Sequence, residues 1–309
     1  MQSINSDHEF NPFLFKSPEG QARYFKAYDA VFSSFGLEPE EIKVATRFGL
    51  THVNAFGPKG APALMLLHGM GASSTMWAPN IEDLRRYFRV YAPDTIDDLG
   101  KSRCEKRLRR RTDYIAWLQD LCSGLQLGIT HLAGVSYGGW LAFLFASSTT
   151  QILDKIIGIA PAATFQSISP KFFIKAIPIV LIPINRIKDH FFTRFFSWLA
   201  GMTDLKDLEH HLLWRQQICG VDNARLRPIL PPRVLSDRDL RSINPPTLLL
   251  TGTREVIYDP LKVLYRAEGT MLRITTELIA GGTHMMSWDK SEMINARMIA
   301  FLKESCNVG

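Results

Sequence analysis

Short, wholly apolar runs alternate along this chain with segments whose apolar residues recur every three or four positions. Ala63 to Leu67, Arg89 to Ala92, Ile129 to Gly134, Asp154 to Pro161, Pro246 to Gly252 and Arg273 to Ala280 read as buried strands. Between them, Met76 to Tyr87, Asp113 to Leu127 and Gly139 to Ser148 read as helices. Tyr114, Trp117, Leu118 and Leu121 share one face of the second, and Thr112 is its candidate N-cap. Strand, loop and helix repeating in this order predict a doubly wound, mostly parallel sheet. Ile42 to Phe56 alternates well enough for two strands at an antiparallel edge, followed by a turn at Pro58, Gly60 and Pro62. Before it, Ala22, Phe25, Tyr28, Val31, Phe32 and Phe35 lie at helical spacing between Pro18 and Phe35, predicting an added N-terminal helix that Gly36 ends.

The β pattern breaks from about Ala162 to Ser242, where aromatic residues such as Phe172, Phe195 and Trp214 stand without a strand-like run. This predicts a helical insertion over the strand ends, returning to the sheet at Pro228, Pro231 and Pro232. Residues 1–41 then form a leader and added helix, residues 42–161 and 243–309 the two parts of the core, and residues 162–242 a cap.

Composition adds little until charge is located. The 309 residues are 46% hydrophobic and 21% charged, ordinary for one globular domain with an insertion. The net charge of +6 is concentrated in Lys101 to Arg111, which holds seven bases and one acid and reads as a solvated surface turn, with contact to phosphate or an anionic membrane surface as the alternative. No aromatic interleaving or nucleic-acid motif accompanies it, so no nucleic-acid partner is expected. The N-terminal residues lack a secretory pattern, and the longest apolar run, Ala176 to Ile184, is interrupted by Pro178 and Pro183. Cys104, Cys122, Cys219 and Cys306 show no metal or redox spacing. A cytoplasmic protein with reduced thiols and no stable membrane insertion is the expectation.

The candidate chemistry centres on Gly134-Val135-Ser136-Tyr137-Gly138. In G-x-S-x-G a strand turns sharply into a helix and lifts the serine hydroxyl clear of the sheet; a Cβ at either glycine would collide with a neighbouring element. His68-Gly69-Met70-Gly71 follows a central strand, as loops do that supply one backbone donor to an oxyanion. The donors would be the N–H groups of Met70 and Tyr137. A serine also needs a base and a carboxylate to orient it. His8, His52 and His131 precede the nucleophile, His68 belongs to the oxyanion loop, and His190, His210 and His211 fall in the insertion. His284 remains, on a glycine-rich loop after the last strand. Glu255, three residues past the glycine ending the preceding strand, is the preferred acid; Asp259 is the alternative, although it precedes Pro260 and suits a helix cap. Asp94, at a strand end before the nucleophile, is expected to brace its loop. Trp77, Trp140, Phe165 and Met285 are candidate pocket residues.

Together these motifs, with Pro93-Asp94, Gly100, Ser102 and Gly282-Thr283-His284, resemble the α/β-hydrolase superfamily, and within it carboxylesterase-like members with a helical cap. The resemblance covers about residues 42–304. It implies an eight-stranded sheet, a cap after the sixth strand, no cofactor, and a serine acyl-enzyme mechanism; the aromatic content of the cap favours a small ester with an apolar group as substrate. Glu255 departs from the aspartate usual there, and Asp97, Asp98 and Leu99 replace a glycine-rich loop. A thioesterase, an amidase or a carbon-carbon hydrolase would use the same triad, and a ligand-binding protein without turnover could keep the same fold.

Overall fold

The computed structural model describes residues 9–149, 151–182, 185–202, 212–225 and 229–304. His8, His210, His211, Pro228 and Cys306 lie outside the described residues. The strands are β1 (Glu40–Thr46), β2 (Gly49–Phe56), β3 (Ala63–Leu67), β4 (Arg89–Pro93), β5 (Arg103–Cys104), β6 (Thr130–Val135), β7 (Leu153–Ile159), β8 (Thr247–Gly252) and β9 (Ile274–Ile279). Eight of them form one sheet in the order β1-β2-β4-β3-β6-β7-β8-β9, while the two-residue β5 pairs with β2 off this path. The β1-β2 and β2-β4 pairings are antiparallel; every later pairing is parallel. Burial follows this order. All of β6 and β8 is buried, whereas β1 and β9 at the edges carry exposed polar residues that blunt further pairing.

The helices are α1 (Pro18–Ser34), α2 (Ala78–Leu84), α3 (Arg111–Gly124), α4 (Tyr137–Ser148), α5 (Pro170–Leu181), α6 (Asn185–Leu199), α7 (Leu212–Asn223), α8 (Asp237–Arg241), α9 (Pro260–Thr270), α10 (Met286–Asp289) and α11 (Ser291–Lys303). Helices α5 to α8 lie between β7 and β8, after the sixth strand of the main path. The first of them starts only at Pro170, because residues 162–169 run as a loop along the core, where Phe165 meets Phe143 of α4 edge-on at 5.2 Å.

Three local expectations are corrected. The helix expected over Met76 to Tyr87 opens instead as a 3₁₀ turn, Ser74–Trp77, and a separate α2, with Pro79 in its first turn, runs from Ala78 to Leu84. Thr112 is not the N-cap of α3. The Asp113 carboxylate accepts from the N–H groups of Arg109 and Arg110, 2.9 and 3.0 Å away, so the helix begins at Arg111. The basic stretch is not one solvated turn either: the Lys101 side chain is shielded from solvent with its ammonium 2.7 Å from both Asp29 and Glu41, Arg103 and Cys104 are in β5, and Arg111 opens α3.

Helix α1 joins the core and the insertion. Its buried face is Gln21, Tyr24, Tyr28, Val31 and Phe32, whereas Ala22 and Phe35 point to solvent. Before the helix, Phe15 forms an antiparallel bridge with Ala224, Lys16 N–H donates to Asn223 O (2.9 Å), and Arg225 N–H donates to Leu14 O (2.7 Å). The N-terminal segment is thus hydrogen-bonded to the end of α7. Farther along, the Tyr28 hydroxyl reaches Asp94, whose carboxylate also accepts from Ser74 N–H (2.8 Å), Ser74 Oγ (2.7 Å) and Lys101 N–H (2.8 Å). Asp94 is fully buried, so those donors have no water to replace it. Asp94→Ala is expected to cost about 3–5 kcal/mol, the range for removing one partner of a buried charged network, read as a lowered urea midpoint.

Candidate active site

Val135 ends β6, and Ser136 sits at φ 52° and ψ −113° before α4 starts at Tyr137. A non-glycine residue in this region carries about 1–3 kcal/mol of strain, tolerated where the surroundings over-determine it. They do so here through backbone approach. A Cβ on Gly134 would overlap the Gly138 carbonyl, and one on Gly138 would overlap the Leu67 carbonyl at the end of β3. Ser136 N–H donates to Ile159 O (3.0 Å), and its carbonyl accepts from Ala162 N–H (3.0 Å), tying the turn to β7 and the loop after it.

Two further loops meet this turn. His284 Nε2 lies 3.0 Å from Ser136 Oγ, and His284 Nδ1 lies 2.9 Å from Glu255 Oε2. The His284 and Glu255 side chains are 5% and 0% exposed, which keeps water from competing for these bonds. The second Glu255 oxygen accepts from Val256 N–H (2.8 Å) and Ile257 N–H (2.9 Å), so its own loop holds the carboxylate in place. Asp259 is not at this site. It accepts from Leu261 N–H (3.1 Å) and Lys262 N–H (3.3 Å) and caps α9. The acid and histidine loops touch through glycines, because a Cβ on Gly252 would overlap the Gly282 carbonyl. Arg254 N–H donates to Gly282 O at 2.8 Å, closing the contact.

The loop after β3 is fixed from within. His68 Nε2 accepts from Thr95 N–H (2.9 Å), which assigns the ring proton to Nδ1, donated to Gly69 O at 2.8 Å. Burial also lowers the His68 pKa and keeps the ring neutral. A Cβ on Gly69 would come 3.6 Å from Ser136 Cβ, so this loop borders the serine. Among the described hydrogen bonds, none uses the backbone N–H of Met70 or of Tyr137.

Several residues shaping this region carry no local signature. Asp98 Oδ2 accepts from Gly71 N–H (2.8 Å) and Oδ1 from Leu99 N–H (2.8 Å). Burial, reinforced by Asp97 and Asp94, pushes the Asp98 pKa up to about 7, and burial alone pushes that of Asp97 up to about 6. Gln216, fully buried on α7, accepts from Thr75 Oγ1 (2.7 Å) and donates to Ser73 Oγ (2.9 Å) and Tyr24 OH (3.2 Å). It joins the insertion to the segment that follows the oxyanion-type loop. A buried glutamine is invisible to periodicity; only its partners identify it.

The expected pocket residues are all buried, and the backbone N–H of Trp140 donates to Ser136 O (3.0 Å). Trp140 donates to Arg233 O (2.9 Å) and packs on Tyr137, Phe165 packs on Phe143, and Trp77 is enclosed in the 3₁₀ turn. Met285 follows the histidine directly. Trp288, four residues past His284, was not anticipated; it donates to Met76 O (3.1 Å) and meets Phe196 of α6 at 5.6 Å.

Ser136, His284 and Glu255 thus stand together, joined by hydrogen bonds, on a doubly wound sheet. Residues 64–296 match the Alpha/beta hydrolase family. The chain belongs to that family. It is 35% identical over 294 residues to carboxylesterase YbfK of Bacillus subtilis, covering 93% of this chain and 96% of the relative. It is 32% identical over 292 residues to the uncharacterized carboxylesterase nap of the same species, covering 93% and 94%. The crystal structure of naproxen esterase (carboxylesterase NP) from Bacillus subtilis superposes with a TM-score of 0.84 at 34% identity, over 93% of this chain and all of that one. A meta-cleavage product hydrolase from Pseudomonas fluorescens, at 17% identity and TM-score 0.68, shares the fold.

Two predictions follow from this geometry. Asp98 binds its proton more tightly folded than unfolded, so its contribution to stability falls as pH rises from the ordinary carboxylate range, near 4, to about 7. Urea midpoints at pH 5 and pH 8 are expected to differ less in Asp98→Asn than in the wild type. Gln216→Leu removes the link to Ser73 and Thr75 and is expected to lower kcat on the order of tenfold with KM within about twofold, in steady-state ester kinetics.

Proposed function

We propose that this chain is a cytoplasmic serine hydrolase that cleaves carboxylic esters through an acyl-enzyme on Ser136. The observation that carries the reading is the pair of hydrogen bonds at 3.0 and 2.9 Å joining Ser136, His284 and Glu255, with the serine held in a strained turn. His284 Nε2 takes the Ser136 proton as Oγ attacks the ester carbonyl, and Glu255 orients the ring and stabilises its cation. The N–H groups of Met70 and Tyr137 receive the oxyanion, a role suited to donors that lack an acceptor at rest. His284 then protonates the departing alcohol. Water, deprotonated by the same ring, attacks the acyl carbon and releases the acid and free Ser136.

The similarity to carboxylesterase YbfK and to naproxen esterase over nearly the whole chain supports an ester rather than another acyl group. In this reading residues 162–242 are the cap, and its apolar lining, together with Trp77, Trp140, Phe165 and Met285, selects an ester with an apolar group. The partner is a small molecule, and the chemistry uses only protein groups.

A fluorophosphonate probe is expected to label the wild type and not Ser136→Ala, with activity on p-nitrophenyl esters lost in parallel. Glu255→Gln is expected to lower kcat about a thousandfold while Asp259→Asn stays near wild type. Folded wild-type protein that neither labels nor cleaves these esters would overturn the proposal in favour of a ligand-binding protein without turnover.

A further inference from the structure

Helix α5 has two apolar faces. One turns inward, with Phe172 against Phe195 of α6 at 5.2 Å and Ile179 buried. The other turns outward: Phe173, Ile174, Ile177 and Leu181, at spacings that place them on one stripe about a hundred degrees wide, are exposed. Ile174 is 66% and Leu181 72% exposed. Helix α6, which packs on α5, adds Ile187 and Phe191, both exposed. Large exposed apolar surface of this kind marks an interaction site in soluble proteins.

Charge indicates the partner. From Pro170 to Leu199 the sequence holds five bases, Lys171, Lys175, Arg186, Lys188 and Arg194, and one acid, Asp189. Lys171, Lys175 and Arg194 are themselves exposed. This excess is separate from that of Lys101 to Arg111, part of which is paired inside the fold. A second copy of the chain docking on this face about a two-fold axis would set the bases against one another, with a single acid per copy to offset them. An anionic bilayer meets both features: apolar side chains enter the boundary between headgroups and acyl chains, while lysine and arginine at the rim reach the lipid phosphates.

We propose that the outward face of α5 and α6 docks this protein reversibly on an anionic lipid membrane. No helix among the described residues is long and apolar enough to cross a membrane, so the contact is peripheral. It would place the insertion, and through Phe196 on Trp288 the histidine side of the site, next to the bilayer. The inference does not depend on which ester is cleaved.

The test is flotation of the full chain with vesicles of phosphatidylglycerol and phosphatidylcholine, against phosphatidylcholine alone, at low and high salt. The wild type is expected to bind the anionic vesicles, weakening as salt rises. The double variant Ile174→Glu, Ile177→Glu, changed only at exposed positions, is expected to bind about tenfold less while hydrolysing a water-soluble ester at the wild-type rate. Wild type that does not float would overturn the proposal, as would equal flotation of the double variant. So would a wild-type dimer in light scattering that the double variant dissolves, because the face would then belong to a second copy.

Discussion

Everything at the site depends on how closely three backbones approach one another beneath Ser136. Gly134 lies against the start of α4, and Gly138 lies against the end of β3; neither position has room for a single methyl group. That contact drives the strand into the helix so abruptly that the residue between must adopt a positive φ, which the serine pays for in strain. Close-packed backbone cannot relax by a rotamer change, so the hydroxyl is held in one direction. The central strands β3, β6 and β7 supply the walls of this turn, and nearly all of their residues are buried.

The remaining groups are positioned by the same physics at longer range. Gly252 and Gly282 let two loops touch although they are thirty positions apart in sequence. Glu255 is then fixed on both oxygens, one by its own backbone and one by His284. Asp98 holds the loop after β3 at the expense of burying a carboxylate beside two others. Placing such a group there costs stability, and its hydrogen bonds to Gly71 and Leu99 offset part of that cost. The site is thus held by glycine contacts at its back and by buried polar networks at its flanks.

The insertion is built in two unlike parts. Its rear helix, α7, is bound to the N-terminal segment through Phe15, Lys16 and Arg225, and to the core through Gln216. Its front pair, α5 and α6, packs mainly on itself and turns an apolar face outward. This division lets one part hold the geometry of the site while the other meets the surroundings. The family relationship accounts for the sheet.

Much of this was legible from local pattern. Apolar runs located the parallel strands, the glycine spacing located Ser136, and the position of Glu255 just past its strand favoured it over Asp259, which does cap a helix. Such features can be read locally because strand burial, tight turns and caps are set by residues within a few positions of each other. The pattern misplaced the start of α3, where Asp113 outcompeted Thr112, and it read Lys101 as solvated because its partners, Asp29 and Glu41, lie far back in the chain. It was silent on Gln216, Asp98 and Trp288. The order of chemical groups along the chain was therefore determined by sequence alone. Which of them touch was decided only by the tertiary structure, since a buried hydrogen bond joins residues that the fold brings together and that no local periodicity relates.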